Sequence, residues 1–154
     1  MSALALLLLL LAQGRVPLGT YESWGAFRDP SPLRCFAIAQ PVEKHRDAGP
    51  FASVANWPRD GVRNQLHIRL SRARAPNARV TLSIGERRFE LQAGDSDAWA
   101  PDARTDAAIV TAMRAGRSMS VETLGANGAP FADSYALKGA ATAIDAAALG
   151  CVKG

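Results

Sequence analysis

Two cysteines, one near each end of the chain, restrict the fold of this sequence more than any other feature. Cys35 lies in the segment LRCFAIAQ, and Cys151 ends the segment FADSYALKGAATAIDAAALGC, 116 positions later. In an exported protein, a single pair of cysteines is most simply one disulfide. Such a bond would close most of the chain into one loop, and the chain-entropy model gives a loop of that length about 4–5 kcal/mol of stabilisation.

Other uses of the two cysteines fit the sequence less well. Thioredoxin-type redox chemistry requires two cysteines separated by two residues, and these are far apart. One pair cannot supply the four ligands of a structural zinc site. The sequence therefore predicts a Cys35–Cys151 disulfide and no cofactor.

Residues 1–13 have the composition of a secretory signal peptide. Residues 3–12 form the unbroken apolar run ALALLLLLLA, which as a helix would span only about 15 Å of a hydrocarbon core about 30 Å thick. No Lys or Arg precedes the run, since Arg15 is the first basic residue, so a signal peptide would depend on the free amino terminus for its positive charge. The alternatives are a buried N-terminal segment or an uncleaved anchor.

This interpretation assigns the protein to the periplasm or the secreted fraction, with no stable transmembrane span after cleavage. It leaves residues 14–154 as a single domain, which is an ordinary length for one domain.

Short alternating segments separated by turns predict most of that domain to be strands. The residues in 33–40 are apolar on both faces, which indicates a buried strand, and residues 65–71 alternate between an apolar and a polar face. We predict strands at residues 24–29, 33–40, 51–57, 65–71, 79–84, 87–91, 118–124 and 130–137. Residues 16–20 are interpreted as a short leading segment, and residues 92–101 as a loop whose Trp99 closes an edge of the core.

Two segments predict short helices. Residues 103–115 follow Asp102, a good N-cap, and end at Gly116. Residues 140–149 are rich in alanine, with Ile144 and Leu149 expected to face inward. Seven or eight strands with two short α-helices predict a mainly β fold, either an antiparallel β-sandwich or a partly closed barrel.

The order of these segments resembles the invasion-associated locus B family of exported bacterial proteins. The resemblance rests on SWGAFRD, RCFAIAQ, IRL, TLSIG, AAIVTAMRAG, SMSVETL and SYALKGAATAIDAAALGC, and covers residues 21–151. It implies a mainly β fold, a periplasmic or envelope location and, in pathogenic members, an association with host-cell colonisation. It supplies no catalytic residues. This sequence departs from the family in a terminal helix poor in phenylalanine and in a long loop, residues 41–50, that contains His45.

The residues with catalytic or metal-binding chemistry do not form a consistent site in the sequence. Gly94-Asp-Ser96 is similar to an esterase nucleophile block, but both histidines, His45 and His67, precede it, where those enzymes place the base after it. The two histidines lack a nearby set of metal ligands. Asp95, Asp97 and Asp102 lack the calcium-loop pattern that a glutamate closes. We therefore predict a non-enzymatic protein.

Six arginines fall within one short region of the sequence. Brought together by neighbouring strands, they would form a positively charged face for anionic lipid, lipopolysaccharide, peptidoglycan phosphates or an acidic protein. The alternative is an ordinary solvated surface. The six are Arg59, Arg63, Arg69, Arg72, Arg74 and Arg79. Nucleic acid is not expected as a partner of an exported chain, and the sequence makes no prediction of oligomeric state.

The sequence thus favours an exported envelope protein that acts by binding an envelope or host component. A periplasmic structural or stress-response accessory without a specific ligand is the alternative, and an envelope hydrolase is a remote one.

Overall fold

The computed structural model describes residues 14–43 and 49–152. The predicted signal peptide, residues 1–13, and His45 lie outside this range. The strands are β1 (Val16–Tyr21), β2 (Trp24–Pro30), β3 (Leu33–Ala39), β4 (Phe51–Trp57), β5 (Val62–Arg69), β6 (Val80–Ile84), β7 (Arg87–Ala93), β8 (Asp97–Trp99), β9 (Ser118–Leu124) and β10 (Pro130–Ala136). The helices are α1 (Ala103–Ala115) and α2 (Ala140–Val152), and Pro58–Asp60 forms one turn of 3-10 helix.

All ten strands belong to one antiparallel sheet, in the order β1–β2–β3–β4–β5–β8–β7–β6–β9–β10. The sheet curls until its last strand approaches the beginning. The indole Nε1 of Trp24 donates to the carbonyl of Ala136 at 2.8 Å, and the amide of Val42 donates to the carbonyl of Ser134 at 2.8 Å. The prediction of a mainly β, antiparallel and incompletely closed fold with two helices is confirmed.

Both helices pack on the inner face of the curled sheet. Helix α1 lies against β5 and β7, and α2 lies against β1 to β4. The buried alanines of α2, Ala140, Ala143 and Ala147, let its backbone come close to the strands. The predicted disulfide between Cys35 and Cys151 is present, with the two Cα atoms 5.9 Å apart, and it joins β3 to the last turn of α2.

Helix α1 has the predicted limits because its signals are local. The Asp102 carboxylate accepts a hydrogen bond from the amide of Thr105 at 2.7 Å, which satisfies a free amide of the first turn. The apolar stripe of Ile109, Val110 and Met113 is buried. Gly116 ends the helix, and its amide donates to the carbonyl of Ala112 at 3.0 Å.

Two strands differ from the predictions. Residues 16–20 belong to strand β1, which pairs with β2 through a register shift near Gly19 that hides the alternation in the sequence. The loop predicted at residues 92–101 contains the end of β7 and the three-residue strand β8. Among the described residues, no helix is long and apolar enough to cross a membrane.

The two large side chains expected in the core, Trp99 and Leu149, are not there. Ala98 pairs with Ile68 on the inner face, so Trp99 points to the outer face and is 37% exposed. Leu149 follows Ile144 by five residues, which turns it about 140° around the helix. Ala147 and Cys151 occupy the inward side, and Leu149 is 71% exposed.

Candidate anion-binding face

The outer face of strands β2 to β5 and β8 carries arginine and aromatic side chains. Side chains alternate along each strand, and the residues next to the core positions therefore point outward. Both helices contact the opposite face, where Cys35 is bonded to α2. The outward residues that matter here are Phe27, Asp29, Arg34, Phe36, Phe51, Trp57, His67, Arg69, Asp97 and Trp99.

At one end of this face, an ion pair joins β2 to the residue before β1. The Arg15 guanidinium binds both carboxylate oxygens of Asp29, from Nε at 2.8 Å and from Nη2 at 3.2 Å. The rings of Phe27 and Phe36, directly opposite in the β2–β3 pair, stack with centroids 5.6 Å apart. The Arg15 guanidinium also lies 4.8 Å from the Phe36 ring centroid. We call this part of the outer face the Arg34 end, because its central cation is Arg34.

Arg34 has aromatic neighbours but no anionic partner. Its guanidinium lies 4.1 Å from the Phe36 ring centroid and 5.2 Å from that of Trp57. Its Nε is buried and makes no hydrogen bond, and within residues 14–43 and 49–152 Arg34 forms no ion pair. Burial lowers the pKa of Arg34, while Asp29 acts to raise it and Arg15 to lower it. A buried Nε–H without an acceptor is costly unless a ligand or solvent completes its hydrogen bonds.

A cleft opens beside this guanidinium. Its volume is about 400 Å³, within the range of small-molecule sites. The walls combine two cations and one carboxylate with apolar surface. They are formed by Arg15, Asp29, Pro30, Ser31, Pro32, Arg34 and Trp57.

The other end of the face, which we call the His67 end, pairs its charges internally. Asp97 binds His67 through Oδ1 and Arg69 through Oδ2, both at 2.8 Å. The His67 ring stacks on Trp99 with centroids 5.2 Å apart and is nearly perpendicular to the Phe51 ring, with centroids 5.0 Å apart. One carboxylate therefore serves both basic side chains of this end.

The six arginines singled out in the sequence divide between the two ends of β5. Arg59 in the 3-10 turn and Arg63 at the start of β5 lie beside Trp57, at the Arg34 end. Arg69 lies about 20 Å from Arg63 along the extended strand. The other three follow β5 toward the start of β6, at the far end. They are Arg72, Arg74 and Arg79.

Several of these far-end arginines have contacts within the protein. Arg74 donates to the carbonyls of Gly94 at 2.7 Å, Ala78 at 2.8 Å and Ala93 at 2.9 Å, so it holds the neighbouring loops together. Its guanidinium is thereby directed into the protein. The Arg72 guanidinium lies 5.2 Å from the Phe131 ring centroid. Arg79 lies 3.8 Å from Glu90 in an exposed pair.

The residues considered for catalysis or metal binding have structural contacts. The backbone carbonyl of Ser96 accepts from the amide of Leu70 at 2.7 Å, and no hydrogen bond joins its hydroxyl to His67 in the described part of the chain. Asp97 binds His67 and Arg69, and Asp102 caps α1. Over the described residues, no group of three or more His, Cys, Asp or Glu side chains is placed to hold a metal ion.

The inner side of the sheet also holds buried polar side chains, among them Asp106 and Tyr135. The amide of Leu66 donates to Asp106 at 2.9 Å, and burial raises the pKa of this carboxyl to about 6, helped by nearby Asp102 and opposed by the amide of Leu66. Tyr135 is fully buried, and its hydroxyl makes no hydrogen bond. Burial raises its pKa, and Asp133 adds to the effect. Neither group reaches the outer face.

A larger cleft, of about 690 Å³, lies near the start of β2 and the end of β3. Its lining is mostly apolar and includes Trp24, Ile38 and Val42. Gly49 and Pro50, which begin the second described range, also line it. The cleft beside Arg34 is the better-defined candidate site.

The sequence interpretation did not select Arg15 or Arg34. Alternation in SWGAFRD and RCFAIAQ would have put Asp29, Arg34 and Phe36 on one face of a hairpin. Arg15 gave no such signal, because its contact with Asp29 depends on the irregular pairing of β1 with β2.

Comparisons with known proteins agree with this fold. A sequence model of the family described as "Invasion associated locus B (IalB) protein" matches residues 27–148. The crystal structure of invasion associated protein B from Bartonella henselae is similar with a TM-score of 0.64 and 18% sequence identity, covering 88% of this chain and 98% of that chain. No curated protein matches the sequence. Because the family model spans most of the chain, this protein belongs to the invasion-associated locus B family.

Proposed function

We propose that this protein is exported to the bacterial envelope and acts without catalysis, by binding an anionic envelope component through the outer face of the sheet. The observation that carries the proposal is the Arg34 end, where a guanidinium stacked on two aromatic rings has no anionic partner among the described residues. Arg59 and Arg63 add positive charge nearby.

Three observations support export. The family is one of exported bacterial proteins. A disulfide that closes most of the chain suits an oxidising compartment. The apolar run in residues 1–13 has the length of a signal peptide.

The outer face has the chemistry of an anion-binding surface. Guanidinium groups form directed, charge-assisted hydrogen bonds with carboxylates and phosphates. The rings under Arg34 hold it in one orientation and exclude water from one side, which strengthens its attraction to an anion.

Binding of residues 14–154 to three surfaces tests the proposal. The surfaces are phosphatidylglycerol-containing vesicles, lipopolysaccharide and isolated peptidoglycan, with pure phosphatidylcholine vesicles as the uncharged control. We expect binding to at least one anionic surface at about 20 mM salt and a large loss at about 300 mM, because the Debye length shortens. Absence of binding to all three at low salt would refute the proposal.

A matched pair of variants tests the face itself. Arg34→Gln should weaken binding strongly, whereas Arg79→Gln removes the same charge at the far end and should weaken it only slightly. Equal effects would indicate attraction by net charge alone and favour a structural or stress-response accessory without a specific ligand.

The hydrolase alternative predicts that Ser96→Ala and His67→Ala each abolish hydrolysis of a general ester substrate.

A further inference from the structure

We infer that the cleft beside Arg34 is a binding site for an acidic sugar, meaning a saturated ring that carries one carboxylate or phosphate group. This inference rests on the proposed function and names the ligand class of the same face. The site combines an unpaired guanidinium with an apolar wall, and these two features require different parts of a ligand.

The oxyanion of the ligand would complete the hydrogen bonds of Arg34. The Arg34 side chain donates no hydrogen bond to any described residue, and its planar guanidinium offers paired donors. The single negative charge of Asp29 does not neutralise both Arg15 and Arg34, and both of its oxygens are bound by Arg15. Arg15 and Arg34 together outweigh the single carboxylate, so the cleft keeps a positive charge.

The ring of the ligand would lie against the apolar wall. Trp57, Pro30 and Pro32 line the cleft and present flat, rigid surfaces to the C–H groups of a saturated ring. A bare inorganic anion would leave this wall exposed to water, and a long acyl chain exceeds a cleft of about 400 Å³. One ring with one anionic group satisfies both parts of the site.

Intrinsic tryptophan fluorescence can report the binding, because Trp57 lines the cleft. Trp24 is fully buried, and Trp99 lies at the His67 end. The probes are N-acetylmuramic acid as a sugar carboxylate, glucose 1-phosphate as a sugar phosphate, N-acetylglucosamine as a neutral sugar, and inorganic phosphate. We expect saturable quenching by one or both acidic sugars, with at least tenfold weaker binding of the neutral sugar and of phosphate.

Four variants test whether the fluorescence quenching arises from binding in the cleft beside Arg34. Trp57→Phe should abolish the quenching, and Trp99→Phe should leave it unchanged. Arg34→Lys keeps the charge but loses the planar donors, so its affinity should fall at least tenfold, while Arg79→Gln, at the far end of β5, should change affinity less than threefold. Lack of saturable binding by either acidic sugar, or equal binding of N-acetylglucosamine or phosphate, would overturn the inference.

The wild-type protein allows a test that requires no variant. In ¹⁵N-labelled wild-type protein, an acidic sugar should shift the Arg34 Nε–H and Trp57 indole signals before those of Trp99. Shifts confined to the His67 end would overturn the inference.

If the wild-type protein binds anionic envelope surfaces and Arg34→Lys binds them equally well, the acidic-sugar site fails and the proposed function survives. If acidic sugars bind at Arg34 but no envelope surface does, the proposed function fails.

Discussion

The two ends of the outer face contain similar groups and differ in how their charges are matched. At the His67 end, Asp97 contacts both His67 and Arg69, and the aromatic rings pack beside a balanced group. At the Arg34 end, Asp29 is bound twice by Arg15, and Arg34 contacts aromatic rings and forms no ion pair with any described residue. The comparison teaches that the number of arginines on a surface says little about binding until the internal carboxylates are assigned to them.

The two ends are also held from the inner side by different groups. Under the Arg34 end, the Cys35–Cys151 disulfide fixes β3 to α2. Under the His67 end, the carboxylate of Asp106 accepts the amide of Leu66, the residue before His67. The first contact is covalent, and the second is a hydrogen bond to a buried acid.

Removing the covalent tie should have the largest effect. We expect Cys35→Ser/Cys151→Ser to lower the free energy of unfolding by about 4–5 kcal/mol, because the unfolded chain regains the entropy of an open loop. Urea unfolding of the double variant and the oxidised wild type measures this. Hydrogen exchange should accelerate more in β2 and β3 than in β5 and β8, and the opposite order would contradict the comparison.

Changing pH should act through the buried carboxyl of Asp106. The pKa of Asp106 is about 6 in the folded state against 3.8 for an ordinary Asp, so the folded state holds its proton more tightly. Stability should therefore be highest near pH 4 and fall as pH rises toward and past 6, by roughly 3 kcal/mol at most.

The variant Asp106→Asn keeps an oxygen acceptor for Leu66 and should remove most of this slope. Thermal unfolding from pH 4 to pH 7.5 compares it with wild type, and Asp102→Asn serves as the control from the exposed cap of the same helix. The control should keep most of the slope. An Asp106→Asn variant that loses stability between pH 4 and 6 as steeply as wild type would contradict the assignment.

Removing the negative charge of Asp97 should make the His67 end resemble the Arg34 end. Asp97→Asn releases Arg69 and should cost no more than about 1 kcal/mol of stability, because the pair is partly exposed. It should also strengthen binding to anionic vesicles by about fivefold, the effect of one additional free cation near a charged membrane. Asp95→Asn makes the same change in net charge without releasing Arg69, and an equal gain there would refute the mechanism.

The smallest effect on stability is expected at the Arg15–Asp29 pair. Arg15→Gln should lower the free energy of unfolding by about 0.5 kcal/mol, because Arg15 is exposed. It frees Asp29 to pair with Arg34, so acidic-sugar affinity should fall further than in Arg63→Gln, which only removes a charge. Similar losses in these two variants, measured by fluorescence titration, would show that Asp29 does not compete for Arg34.

The sequence predicted the elements whose signals are local. Asp102, the apolar stripe of α1 and Gly116 lie within one segment, and the hairpin of β2 and β3 follows from alternation on both sides of two prolines. The disulfide was predicted from the inferred export of the protein and from the presence of a single pair of cysteines. These features need no knowledge of the sheet order.

The remaining features depend on pairing between distant segments. Strand β8 has three residues and exists because β5 and β7 flank it, and this pairing turns Trp99 outward. The phase of α2 is set by Cys151 bonding to β3, which leaves Leu149 outside. The Arg34 end gathers Arg15, which precedes β1, with residues of β2, β3 and β4, so no single segment could reveal it.

The bond between Cys35 and Cys151 has a further consequence for how the protein can be degraded. It makes residues 35–151 a covalent ring. A protease that cuts one peptide bond inside this ring linearises it without releasing any fragment. The nicked protein keeps every strand attached, and only a second cut within the ring, or reduction of the bond, can release a piece of the ring itself.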